Sequence, residues 1–210
     1  MFGDGALAFQ EFAMHEQLPL ATIHDAVLEF LRGRDDVALF GAQAVNAYVD
    51  RPRMTQDVDI LSTSAAEFSS QLQQELAARF QIAVRIPVVA DGRAYRVYQV
   101  RKPKNRHLVD IRSADKLPVC NRLEGILVPE PSELIIQKLQ SVVRRPNSPK
   151  GTTDMADLQR LLLAFPELKT ADGEVTGRLR TAEVEGRVID VWLDLVAQEI
   201  TPEEEEDPGF

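Results

Sequence analysis

The chain has 210 residues, 44% hydrophobic and 27% charged, a length for one domain or one domain with a helical appendage and a composition far from that of disordered chains. Its formal charge of −9 is concentrated at the end, because Glu203, Glu204, Glu205, Glu206 and Asp207 supply five of the 33 acidic groups and leave 28 against 24 Lys and Arg. One cysteine, Cys120, excludes an internal disulfide framework, and neither a signal peptide nor an apolar run near the ~20 residues that span a bilayer is visible. The expectation is a soluble cytoplasmic protein without a membrane partner.

Residues 1–17 carry little pattern and read as an arm. From Thr22, a capping residue, Ile23, Ala26, Val27, Phe30 and Leu31 recur at helical spacing, and Gly33 stands where a C-cap belongs. Residues 37–40 form a short apolar run broken by Gly41, and residues 42–49 read as a helix, so the order is strand, glycine turn, helix. After a Pro52-containing loop, DVDIL at 57–61 predicts a strand. A polar helix over 64–80 leads to β-rich runs at 81–89, 94–101 and 106–112, with Asp91-Gly92 as a turn signal. From Pro129 the pattern is helical, over about 132–143, 153–165 and 182–199, before an acidic tail. These boundaries predict an α/β core at 18–128, a C-terminal helical region at 129–200 and a disordered tail at 201–210.

Several charged residues fall on faces where apolar ones are expected. In DVDIL a period of two puts Asp57 and Asp59 on one face, roughly 7 Å apart, with Val58 and Ile60 on the other. The preceding loop adds Arg51, Arg53 and Thr55. Paired carboxylates beside cations and a hydroxyl suit a phosphate held through Mg²⁺, which takes one or two carboxylates plus substrate oxygens. On the later strand HLVDIR, strict alternation gives Asp110 the face of Leu108 and Arg112 and turns His107, otherwise a candidate ligand or base, away. A third carboxylate permits two-metal phosphoryl transfer; the plain alternative is an exposed strand residue paired with Arg112 or Arg106. At 100° per residue from Leu134, Lys138 falls near 40°, inside the stripe made by Leu134, Ile135, Leu139 and Val142. It either snorkels from the stripe edge or points into a site. Asp154 projects onto the buried face of the next helix with Asp157 at its edge, and helix capping is the local explanation for Asp154. Nine Lys or Arg against two Asp between Arg93 and Arg122 give a patch of about +7 able to attract polyphosphate or nucleic acid, or a pair of solvated strands.

Taken in order, LFGAQAVNAY, RPRMTQDVDIL, LVDI, PSELIIQKLQSVVRR and DMADLQRLL resemble the nucleotidyltransferase superfamily with a DNA polymerase β-like fold. The closest likeness is to its AbiEii-type branch, which includes toxins of type IV toxin–antitoxin systems. The resemblance spans roughly residues 37–165 and implies an α+β fold, a mixed-sheet core flanked by helices with a C-terminal helical region. It implies that Gly41 opens a helix whose backbone N–H groups receive nucleotide phosphates, with Ala42 where Gly or Ser is usual. It implies Asp57 and Asp59 as metal ligands and Asp110 as the third acid, with Asp115 as the alternative on a shifted strand. Arg53 and Thr55 match the R-x-T-x-D-x-D frame, and Lys138, Asp154 and Asp157 match the K-L and D-x-x-D element.

The implied activity is transfer of NMP from an NTP to a hydroxyl with Mg²⁺ (or Mn²⁺), Lys138 and Arg53 neutralising the triphosphate. The candidate acceptors are RNA such as a tRNA 3′ end, a protein hydroxyl, or a small molecule such as an aminoglycoside, the basic strands favouring RNA, and an antitoxin protein is a candidate partner. The rival readings are a degenerate nucleotide- or partner-binding protein, suggested by Ala42, and a metal-dependent nuclease. Cys120 lacks a partnered His and is read as structural.

Overall fold

A computed structural model describes residues 18–182 and 184–202. The expected arm at 1–17 and residues 203–210 of the expected acidic tail lie outside the described residues. Helix α1 (Leu20–Leu31) precedes β1 (Val37–Phe40), the short α2 (Gly41–Asn46) and β2 (Val58–Ser62). Helix α3 (Ala65–Phe80) follows, then β3 (Val84–Arg85), β4 (Val88–Val89), β5 (Ala94–Gln99) and β6 (Arg106–Ser113). The hairpin β7 (Cys120–Leu123) and β8 (Ile126–Pro129) leads to α4 (Pro131–Arg144), α5 (Pro149–Ala164), α6 (Glu174–Thr181) and α7 (Gly186–Ala197).

The main sheet runs β1-β2-β6-β5-β3, with β4 also on β5. Only β2 and β6 pair in parallel; the other pairs are antiparallel, so the fold is mixed α+β. Parallel pairing needs a long crossover, and α3 with the β3–β5 region supplies it. One face of the sheet buries Val58, Ile60, Val97, Val109 and Ile111, none more than 1% exposed, in the same core as Phe68, Leu72 and Leu76 of α3 and Ile23 and Val27 of α1. The opposite face presents Asp59 and Asp110.

The sequence pattern merged β3 and β4 into one run and missed both the β7–β8 hairpin and α6. Helix α5 begins at Pro149, where the Ser148 hydroxyl caps it by accepting the Gly151 N–H at 3.0 Å. Asp154 therefore lies inside the helix, which corrects the capping explanation. Trp192 of α7 is fully buried and donates its indole N–H to Thr176 of α6 at 2.7 Å, locking the last two helices onto α4.

Candidate active site

Alternation along β2 sends Val58 and Ile60 into the core and Asp59 to the other face. Parallel pairing with β6 then sets Asp59 directly beside Asp110, and Asp57 stands one residue before the strand begins. On the other side, Phe40 pairs with Asp59 and the chain turns at Gly41, which has φ +65°. A Cβ at Gly41 would lie 2.2 Å from Asp59 Oδ2, so both the turn and the carboxylate require glycine. Burial pushes Asp59 above the ordinary carboxylate range, opposed by Arg112, whose guanidinium is 3.9 Å away. Asp115 lies beyond β6, outside the carboxylate cluster.

His107 does not point away. The β5–β6 register pairs Val97 with Val109 and Tyr98 with His107, skipping Leu108. Leu108 and Val109 are both fully buried, so this β-bulge turns two consecutive side chains inward and returns His107 to the face of Asp110. Its Nδ1 is 3.4 Å from Asp57 Oδ2 and its Nε2 3.3 Å from Asp110 Oδ1. The Nε2 contact is a charge contact without hydrogen-bond alignment. Asp110 first, then Asp57, push the imidazole up to about 10. His107 in turn holds Asp57 below its ordinary range. Burial raises Asp110, but His107 and Arg96, at 3.2 Å, outweigh it and leave it lowered. Asp57, His107 and Asp110 each offer a donor atom, all within 4.8 Å of one another. Such carboxylates fit a divalent cation.

The loop between α2 and β2 is held from two sides. Asn46 of α2 accepts the Arg53 backbone N–H at 3.1 Å and donates to the Arg53 carbonyl at 2.8 Å, while the Gln43 amide donates to the Thr55 hydroxyl at 2.7 Å. The sequence reading missed Gln43 and Asn46. From the other side, Asp157 of α5 takes a bidentate fork from Arg53, at 2.8 and 3.1 Å. Lys138 donates to Asp157 at 2.6 Å and to Asp154 at 2.8 Å, and Ser141 completes Asp154 at 2.6 Å. Burial acts to raise Asp157, but Arg53 and Lys138 overcome it and lower its pKa. Lys138 is 7% exposed, so it neither snorkels to solvent nor stands unpaired; it is shared by two carboxylates.

Gly41, Ala42, Arg53, Thr55, Asp57, Asp59, Lys138 and Asp154 line a cleft of about 870 Å³, and Asp110 stands beside Asp59 on the neighbouring strand. The rim of the cleft carries the exposed Arg144, Arg145 and Lys150 from the α4–α5 junction, together with Arg112. Arg93, Arg96, Lys102 and Lys104 are exposed along the β5–β6 hairpin that bears Asp110. Cys120, on β7, has its thiol pushed up to about 11 by burial, which suits a structural thiol. Among the described residues no helix is long and apolar enough to cross a membrane.

A glycine turn, carboxylates on adjacent parallel strands and a helical wall around a cation-rimmed cleft are the architecture of a nucleotidyltransferase. Solved structures share the fold. A polyadenylate synthase of Megavirus aligns with TM-score 0.58 at 13% identity over 73% of this chain and 33% of that one; the chain spans about a third of the viral protein's length. JHP933 from Helicobacter pylori aligns with TM-score 0.54 at 17% identity, covering 84% of this chain and 87% of that one. ANT(2″)-Ia, solved with adenylyl-2″-tobramycin, aligns with TM-score 0.50 at 14% identity over 77% and 95% of the two chains. No match emerges among curated protein sequences. Residues 26–205 match the family described as nucleotidyl transferase AbiEii toxin, type IV TA system, and the chain belongs to that family: it is an enzyme of the nucleotidyltransferase type.

Three outcomes follow from the geometry. Gly41→Ala should cost about 1–3 kcal/mol in urea unfolding, since the residue is held at positive φ and its Cβ must displace Asp59. Lys138→Met should cost about 3–5 kcal/mol, because it leaves Asp154 and Asp157 buried with one cation fewer. In EDTA, NMR should show His107 titrating far above its ordinary 6.5, near 10. Its stabilisation is then complete below 6.5 and lost as pH rises through 10, so the stability gap between wild type and His107→Gln should close in strong alkali.

Proposed function

We propose that this enzyme transfers a nucleoside monophosphate from a nucleoside triphosphate to a hydroxyl acceptor, with pyrophosphate leaving, and that the acceptor is RNA. The observation that carries the reading is the parallel β2–β6 register, which sets Asp59 beside Asp110, with a carboxylate oxygen of Asp57 within 4.8 Å of one of Asp110 and with Asp57 and Asp59 lining the cleft that Gly41 opens. Asp57 and Asp59, with Asp110, are the residues that would hold a divalent cation, Mg²⁺ or Mn²⁺; bound there it neutralises phosphate charge and polarises the reacting oxygens.

Asp110 orients the acceptor hydroxyl and takes its proton as the new O–P bond forms and the bond to pyrophosphate breaks. Gly41 and Ala42 keep the backbone close to the phosphates without a side-chain hydroxyl. Lys138 and Arg53, already shared with Asp154 and Asp157, hold the loop bearing Thr55 and Asp57 against the helical wall. The exposed rim cations Arg144, Arg145 and Lys150 are placed to meet the outer phosphates. RNA is favoured over a small acceptor by the basic β5–β6 hairpin, whose cations continue from the site along one strand pair. Membership of the AbiEii family supports a toxin role with an antitoxin protein as partner.

Incubation with total RNA and α-labelled NTPs should label the RNA, and Asp57→Asn with Asp59→Asn should lower the labelling by about 10²-fold or more. Shortening of RNA without added NTP would instead identify a nuclease. Unchanged labelling in the double variant would place the chemistry elsewhere.

A further inference from the structure

Three carboxylates account for the proposed reaction, but a fourth group stands among them. The bulge at Leu108 spends one residue of β6 to turn His107 back toward the site. Its ring is then fixed from behind: Tyr98 lies 4.9 Å away between centroids, tilted by 40°, and the Arg85 guanidinium sits 5.4 Å from the Tyr98 ring. The imidazole thus has one direction to face, with Nδ1 toward Asp57 and Nε2 toward Asp110. Nε2 has no aligned hydrogen-bond partner. A ring nitrogen and the carboxylate oxygens of Asp57 and Asp110 therefore face a common point, which is how donors stand around a shared ion. Donor atoms of Asp57, His107 and Asp110 within 4.8 Å of one another converge on one cation, with bonds of about 2.0–2.2 Å, after small side-chain rotations.

We propose that His107 is a metal ligand and that Asp57, His107 and Asp110 form a mixed nitrogen and oxygen site, which makes the enzyme select Mn²⁺ over Mg²⁺. The inference rests on the nucleotidyltransferase reading for the presence of a cation. Mg²⁺ demands oxygen ligands and keeps its waters, so a site that gives one position to imidazole is matched poorly to it. Imidazole is a borderline donor that suits the transition metals, and Mn²⁺ accepts it while sharing the carboxylate and water preference of Mg²⁺. On ligation the ring nitrogen releases its proton to solvent, one proton per ion bound.

The test uses Mn²⁺ itself as the probe, added to the metal-free full chain without nucleotide. Electron spin-echo modulation of the bound Mn²⁺ should show coupling to a directly ligated ¹⁴N nucleus, and wild-type protein grown on ¹⁵N-histidine should convert that signal to ¹⁵N coupling. The isotope experiment needs no variant and is immune to misfolding. His107→Gln should abolish the coupling and lower Mn²⁺ affinity by about 10- to 100-fold, while Mg²⁺ affinity does not fall. Mn²⁺ bound without nitrogen coupling, or coupling that survives His107→Gln, overturns the proposal. If Asp57→Asn with Asp59→Asn still removes binding in that case, the carboxylate site stands and only the role of His107 fails. Mn²⁺ binding untouched by the aspartate changes, or no binding at all, refutes the metal site and this inference together.

Discussion

The carboxylate of Asp157 is buried and reached from two directions. Lys138 comes to it across the α4–α5 packing and Arg53 from the loop before β2. Removing a carboxylate from water costs several kcal/mol, and the cost is offset only when charge and hydrogen bonds are both supplied. Here both are supplied, and Arg53 comes from 104 residues away in sequence. The consequence is mechanical. The loop carrying Thr55 and Asp57 cannot move from the helical wall without breaking a bidentate pair in a site of low solvent access, so the cleft keeps its width. Asn46 and Gln43 hold the same loop to α2, which leaves it braced on both sides although it contains no regular structure.

The sheet performs the corresponding task for the carboxylates. A residue's position on β2 fixes its face, and parallel pairing with β6 fixes its neighbour, so Asp59 and Asp110 meet by register rather than by side-chain contact. Their shared face would repel if all three acids stood alone. Arg112, Arg96 and His107 supply positive charge at 3.9, 3.2 and 3.3–3.4 Å. One inserted residue in β6 is what brings the histidine among them.

Much of this was legible in the chain because it rests on period. Alternation placed Asp57 and Asp59, and the helical stripe placed Lys138 among apolar residues, where it is found buried. What was not legible depends on departures from period or on distant partners. His107 was assigned to the wrong face because strict alternation was applied through a bulge; the visible signal was the apolar doublet Leu108-Val109 in a strand that otherwise alternates. Asp154 was explained as a cap because the helix start was drawn late, although Ser148-Pro149 is a cap followed by proline at the first turn. Gln43 and Asn46 gave no signal, since polar residues on a short helix are ordinary until the loop they bind is known. The β7–β8 hairpin, with one side chain in two exposed on β7, lacks the alternation that marks a strand.

The distribution of charge within the cleft bears on the order of events in the proposed reaction. Acids occupy the floor at Asp57 and Asp59, with Asp110 beside Asp59 on the next strand, whereas exposed cations occupy the rim at Arg144, Arg145 and Lys150. A triphosphate attracted by the rim meets repulsion at the floor unless the acids are neutralised. His107 relieves part of that charge in the metal-free protein, since Asp57 and Asp110 hold its proton on well past neutrality, and Arg96 and Arg112 act from half-exposed side chains whose charge the solvent screens. A divalent cation on the floor would offset two of the carboxylate charges, and a triphosphate at the rim would add oxygen ligands to it. Each then strengthens the other by the same factor, because coupling between two bound ligands is reciprocal. The separation of floor from rim therefore makes a nucleotide without its metal a poor ligand, and it does so without any moving part.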